Sequence, residues 1–257
     1  MSDDLPERES LAEGTLISHL LELRSRLIRA AIAVLIAFIP CAFYANRIFS
    51  YISQPLRQKL PPGAHLIATG VMTPFTVPFK LSFFVALFAA MPYVLYQVWA
   101  FVAPGLYRHE KIFAIPLLIT SIVLFYVGTG FAYFFVFPLM FKFFTSVAPE
   151  GVTVMTDITS YMDFALTMFL AFGVAFETPI AVVLLVVTGL VSLEKLKSTR
   201  GYVLIGVFVV AAILTPPDAL SQTMMAVPMY LLYEGGLLMA RILLKVRGQH
   251  AEQAEVR

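Results

Sequence analysis

One stretch limits what this chain can fold into more than any other: Phe164–Leu190, FALTMFLAFGVAFETPIAVVLLVVTGL, 27 residues with a single formal charge, Glu177, followed by Pro179. At ~1.5 Å rise per residue a helix of that length reaches ~40 Å, enough to cross a bilayer. A carboxylate near its middle is costly against lipid tails and has to face protein or water. It reads equally well as a kink-site acid satisfied by neighbouring helices and as a functional group.

Five further apolar runs accompany it: Leu27–Tyr44, Phe75–Val102, Ile112–Phe137, Tyr202–Leu214 and Ala219–Leu244. Hydrophobic residues make up 60% of the 257-residue chain and charged ones 13%, whereas a soluble domain carries about a quarter charged residues. A lipid-exposed backbone has to satisfy its own hydrogen bonds, and no barrel-like alternation is present. The chain is therefore predicted to be an all-α integral membrane protein of six transmembrane helices, a single membrane domain over 1–257. Residues 1–26 form its polar N-terminus, 27–244 the six-helix core and 245–257 the tail. The acidic start, MSDDLPERESLAEG, is unlike the basic start of a cleaved signal peptide, so the first span is expected to be a retained anchor. Cys41 stands alone and reads as packing.

An even number of spans puts both termini on one side. Thirteen lysines and arginines fall on the terminal side of the six runs, four on the other, and Lys80 lies inside the second run. The positive-inside rule makes the richer side cytoplasmic. The opposite connections, Ala45–Pro74 and Lys142–Asp163, are long enough to fold over the bundle as an outer cap of two loops, with a plausible capping box at Ser160-x-x-Asp163. Tyr202–Leu214 is too short for a ~30 Å hydrocarbon core, and Thr215-Pro216-Pro217-Asp218 cannot continue a helix. Two short C-terminal spans, with local bilayer thinning, are the expectation. Prolines at 40, 92, 116, 138, 179 and 228 allow kinked helices to curve round a hollow into a concave, bowl-like bundle, although proline is also simply frequent in membrane helices.

Nothing in the sequence resembles a metal-ligand spacing, nucleophile elbow or phosphate loop, so no catalytic residue, metal or cofactor is assigned. His19-Leu-Leu-Glu22-Leu-Arg24-Ser-Arg26 leads into the first run; Glu22 and Arg26, four apart, can pair on a helix. Between the second and third runs, Phe101 and Leu106 flank a carboxylate, Glu110. With Glu22 it could receive a cationic peptide, because guanidinium groups bind carboxylates in bidentate fashion. The structural alternatives are an ordinary surface ion pair and a helix-start glutamate.

The order of blocks is distinctive. His19-Leu-Leu-Glu22-Leu-Arg24, Tyr96-Gln-Val-Trp99-Ala-Phe101-Val-Ala-Pro104, Tyr107-Arg108-His109-Glu110, Phe134-Phe135-Val136-Phe137-Pro138, Ala171-Phe172-Gly173-Val174-Ala175-Phe176-Glu177-Thr178-Pro179 and Leu214-Thr215-Pro216-Pro217-Asp218 occur in sequence. Over about Ser18 to Arg241 the chain resembles the TatC family, multi-span subunits of the twin-arginine protein translocase. The resemblance implies a receptor for twin-arginine signal peptides of folded cargo, with Glu22, Arg24, Phe101, Leu106 and Glu110 at the signal-peptide site. It implies Glu177 as a polar position on the concave face, Pro55 and Phe75 in the outer cap, and Gln222 and Tyr133 where single-span TatA- and TatB-type partners dock. It further implies several copies of the chain in one complex, contact with membrane lipids but not nucleic acid, transport driven by the proton-motive force, and a bacterial cytoplasmic (inner) membrane location. Gly70 stands where the family often has a polar residue, and neither it nor the tail after Arg247 receives a role.

A 100-residue folded cargo has a radius of gyration of ~13 Å, and six helices each ~10 Å across cannot surround it. The chain therefore reads as receptor and assembly core rather than pore. The rival readings are a transporter titrating Glu177, a membrane enzyme without a catalytic cluster, and a plain scaffold.

Overall fold

A computed structural model describes residues 5–59, 67–102, 111–146, 157–214 and 219–255. Every regular element among them is helical: α1 Leu5–Phe43, α2 Ala45–Lys59, α3 Thr73–Val102, α4 Lys111–Phe131, a π-helical segment Ala132–Val136, α5 Phe137–Ser146, α6 Ile158–Ala175, α7 Thr178–Val187, α8 Leu193–Ser198, α9 Arg200–Leu214 and α10 Ala219–Glu255. Among the described residues, five stretches are long and apolar enough to cross a membrane: Ser18–Phe43, Thr73–Phe101, Ile115–Met140, Ile158–Val187 and Gln222–Lys245. Arg200–Leu214 is a shorter apolar helix. On α1, Leu27, Ile36 and Ile39 are each 60% or more exposed. A ladder of bare aliphatic side chains is stable in lipid and not in water. This is a membrane protein of the predicted helical class.

Four expectations need correction. The last span is not short: Gln222–Lys245 runs 24 residues and Pro228 is accommodated inside α10, so only the fifth span is truncated. The first outer connection is not all loop, because Ala45–Lys59 forms a helix. The second is shorter than Lys142–Asp163, since α5 runs on to Ser146 and α6 begins at Ile158. Helix α6 is not capped by a Ser160–Asp163 box; Asp157 is its N-cap, accepting from the backbone N–H groups of Thr159 and Ser160. An Asp one residue before the helix satisfies those orphan donors directly. The Thr215–Asp218 turn, Leu106 and Glu110 lie outside the described residues.

The chain divides into two compact units, Met1–Ile52 with Pro78–Leu118, and Ser53–Val77 with Ile119–Arg257. In the first, α1 and α3 run antiparallel and touch near both ends. Phe38 packs edge-on against Phe79 and Phe83, with centroids 5.0 and 5.9 Å apart. His19 meets Phe101 nineteen residues earlier on α1, ~28 Å away along the axis.

In the second unit, α10 packs chiefly on α7 and α9. Lipid tails are as apolar as leucine, so such helices associate through close packing rather than through the hydrophobic effect. Glycines let them approach. A Cβ at Gly173 would lie 2.6 Å from the Phe125 ring, and one at Gly236 would lie 2.9 Å from Pro179 Cα.

Prolines shape two spans. Pro138 has no N–H for the Phe134 carbonyl, and the turn before it widens so that Phe137 N–H bonds the Ala132 carbonyl, five residues back. Pro179 occupies the first turn of α7, which divides the fourth span at Phe176–Glu177.

Candidate functional site

Of the predicted signal-peptide residues, Glu22, Arg24 and Phe101 are among the described ones, and they fall at one end of the α1–α3 pair. Helix geometry sets His19, Glu22 and Arg26 within a ~60° arc of α1. The His19 ring stacks on Phe101 with centroids 4.3 Å apart and planes at 24°. One turn along α1, Glu22 Oε1 accepts from Arg26 Nε at 3.0 Å and from Nη2 at 2.5 Å. The predicted Glu22–Arg26 pair is therefore present, with both donors on one carboxylate oxygen. Phe101 and Glu22 thus flank the same arc, while Arg24 does not share it. It lies about 200° round the helix from Glu22, lining a shallow groove with Leu21, Ser25, Ile28 and Arg29. One turn before Phe101, Gln97 is buried at 4% exposure, and its Oε1 has no hydrogen-bond partner among the described residues.

Glu177 sits at the break between α6 and α7. Its N–H bonds the Val174 carbonyl and its own carbonyl accepts from Ala181 N–H. Carboxylate Oε2 accepts from Ser121 Oγ on α4, while Oε1 is buried without a partner among the described residues. Ser121 is itself 1% exposed. The sequence reading missed Ser121, since a serine among aliphatic residues carries no charge signal.

The two partner-docking candidates have different neighbours. Gln222 Nε2 donates to the Phe208 carbonyl at 3.3 Å, tying α10 to α9. Tyr133 lies in the π segment, with its ring 5.8 Å from Phe169. Between α9 and α10 is a cluster not anticipated from sequence: Arg200 Nη2 donates to Glu234 Oε2 at 2.7 Å and Tyr230 OH to Glu234 Oε1 at 3.0 Å. Beside it, Tyr233 OH donates to the Leu196 carbonyl at 2.7 Å, holding α8 against α10.

Of the two residues expected in the cap, Phe75 lies in the first turn of α3 and is 64% exposed, and Pro55 lies on α2. Asp157 clasps the chain before α3. Its Oδ2 accepts from Thr69 Oγ1 at 2.6 Å and from Thr69 N–H at 3.2 Å, and Ile158 N–H bonds the Ile67 carbonyl at 3.0 Å. These bonds favour the ionised carboxylate and hold its pKa down to about 2. No group of three or more His, Cys, Asp or Glu suited to a metal ion occurs among the described residues.

Fold and site together define a polytopic helical membrane protein whose apolar helices carry a few carboxylates, each held by a polar partner. The TatC family, described as the Sec-independent protein translocase protein, matches residues 18–228. The Sec-independent protein translocase protein TatC of Azotobacter chroococcum mcd 1 is 57% identical over 222 residues, 86% of this chain and 87% of its own length. That of Escherichia coli (strain K12) is 52% identical over 226 residues, 88% of each. A crystal structure of the twin arginine translocase receptor TatC superposes with a TM-score of 0.79 at 38% identity, over 87% of this chain and 98% of that one. The chain belongs to the TatC family. It is a component of a protein translocase rather than of a catalytic enzyme family.

Proposed function

We propose that this chain is the signal-peptide receptor and core subunit of a twin-arginine translocase, acting as one membrane domain in the bacterial cytoplasmic membrane with both termini in the cytoplasm. Glu22 and Glu110 accept the two signal arginines, Phe101 and Leu106 supply apolar flanks, and Arg24 contributes to the same signal-peptide site beside them. Gln222 and Tyr133 meet TatA- and TatB-type single-span helices. Glu177 acts at the concave face during assembly or transport, several copies assemble together, and the proton-motive force drives passage.

The observation that carries this reading is the face shared by Glu22 and the His19–Phe101 stack, in a chain so similar to a solved twin arginine translocase receptor. A guanidinium is a planar donor that pairs with a carboxylate through a fork and lies flat on an aromatic ring. Carboxylate and ring stand one helical turn apart here. Lysine has neither the fork nor the plane.

The test is binding of a fluorescent twin-arginine signal peptide to the purified protein in detergent, against the same peptide with two lysines. Loss of the charge-assisted, bidentate bonds should weaken the lysine peptide by about tenfold or more. Glu110→Ala should reduce crosslinking to the arginine peptide while the protein still inserts and accumulates. Equal affinity for the two peptides would remove the receptor reading.

A further inference from the structure

We infer that Arg26 is a built-in competitor for the Glu22 carboxylate, occupying the place of a signal arginine and so setting the affinity of the receptor face. The inference rests on the signal-peptide reading of Glu22. Arg26 presents to Glu22 the same chemistry that an incoming signal arginine would present. Its Nε and Nη2 both donate to Oε1, at 3.0 and 2.5 Å. Two donors from one guanidinium converge on a single oxygen, so half of the carboxylate is already engaged. A ligand guanidinium has either to displace Arg26 or to bind Oε2 beside a like charge.

Location makes this more than a decorative helix pair. The side chains of Arg26 and Glu22 are 20% and 37% exposed, so solvent screens the contact only in part. The next turn of the same arc carries His19 on its Phe101 platform. Ring, carboxylate and internal guanidinium therefore lie in a row along α1. An ion pair whose only role was to stabilise the helix would have no reason to influence ligand affinity, or would lower it when broken. A competitor has the opposite sign: its removal frees Oε1, deletes a neighbouring positive charge, and tightens binding.

The pair is partly exposed, and contacts of that kind correspond to a factor of about two to five in an equilibrium constant. Arg26→Gln is therefore expected to tighten the twin-arginine peptide by about two- to fivefold. Arg26→Lys keeps the charge but loses the fork, and should fall between wild type and Arg26→Gln. Arg29→Gln removes a positive charge one turn further on, from a residue that does not bond Glu22, and measures the effect of the general field. It should shift affinity by less than Arg26→Gln.

The experiment titrates labelled twin-arginine and twin-lysine peptides against the four proteins in detergent, by fluorescence anisotropy, with thermal unfolding of each recorded alongside. Selective tightening of the arginine peptide by Arg26→Gln supports the competitor. Unchanged or weaker binding by Arg26→Gln and Arg26→Lys, at unaltered thermal stability, overturns it. So does tightening of both peptides that Arg29→Gln reproduces, because that is field alone. Wild type failing to distinguish the two peptides would instead defeat the receptor reading itself, and the inference with it.

Discussion

Gly128 and Gly130 lie two residues apart on α4, and alanine should stabilise at Gly130 but not at Gly128. Both substitutions gain the same helix propensity, about 1 kcal/mol for Gly to Ala. Their surroundings differ. A Cβ at Gly130 meets nothing within 4 Å, whereas one at Gly128 would stand 2.6 Å from the Phe172 carbonyl oxygen and 2.7 and 2.8 Å from Phe176 Cγ and Cβ. Favourable carbon contacts lie at about 3.5–4.0 Å, so roughly 1 Å of overlap has to be relieved. The carbonyl cannot simply retreat, because it accepts from Phe176 N–H at 2.9 Å, immediately before Glu177. Overpacking of this kind costs about 1–3 kcal/mol, which equals or outweighs the propensity gain. The two variants should therefore differ by about 1–3 kcal/mol, the propensity contribution cancelling. At ~2–4 °C per kcal/mol for a chain of this size, that is a difference in Tm of about 2–12 °C. Thermal unfolding of the detergent-solubilised protein, followed through the single buried tryptophan, Trp99, reads it directly. If Gly128→Ala proves as stable as Gly130→Ala, the close approach of α4 to the end of α6 is not what holds the Glu177 turn in place.

Two further outcomes test the connections. The Asp157 carboxyl is held at about 2, below its ordinary value of 3.8, so its contribution is complete above pH ~4 and fades as pH falls through ~2. Protection of the Ile158 amide against hydrogen exchange, corrected for intrinsic rate, should accordingly stay flat from pH 4 to 8 and drop in Asp157→Ala; equal protection in that variant would show the clasp to be incidental. For Arg200 and Glu234, 47% and 30% exposed, a double-mutant cycle with glutamine at each position should give a coupling of up to about 1 kcal/mol in thermal stability, and additive effects would remove the pair as a clasp between α9 and α10.

Spacing and hydropathy made the helical class legible, because 18 or more apolar residues in a row have few other stable fates. They also gave the Glu22–Arg26 pair, whose partners are local on one helix. The His19–Phe101 stack was not accessible in the same way: it joins residues from opposite ends of two spans, and neither ring differs in sequence from a surface aromatic. Helix ends were read less well. Asp157 and Ser160 are both good caps, and the choice between them is made by Thr69, 88 residues away, which fills the other oxygen of Asp157. The truncated fifth span was visible in its length, but the sixth was grouped with it wrongly, since Pro228 is tolerated inside α10 and no breaker ends the helix at Leu244.

Glu177 and Glu234, two of the carboxylates in the long spans, show where such reading stops. Glu177 stood out because its own run contains no other charge, yet its partner, Ser121, is neutral and on another helix. Glu234 was passed over because its run also carries Arg241 and ends in a basic segment, where an acid looks like part of the interface. Its contacts say more. Arg200 begins α9 and donates to one oxygen of Glu234, and Tyr230 occupies the other. The cost of a charge in a membrane segment depends on its partner as well as its depth, and the partner is settled by contacts between helices rather than by the run in which the residue is found.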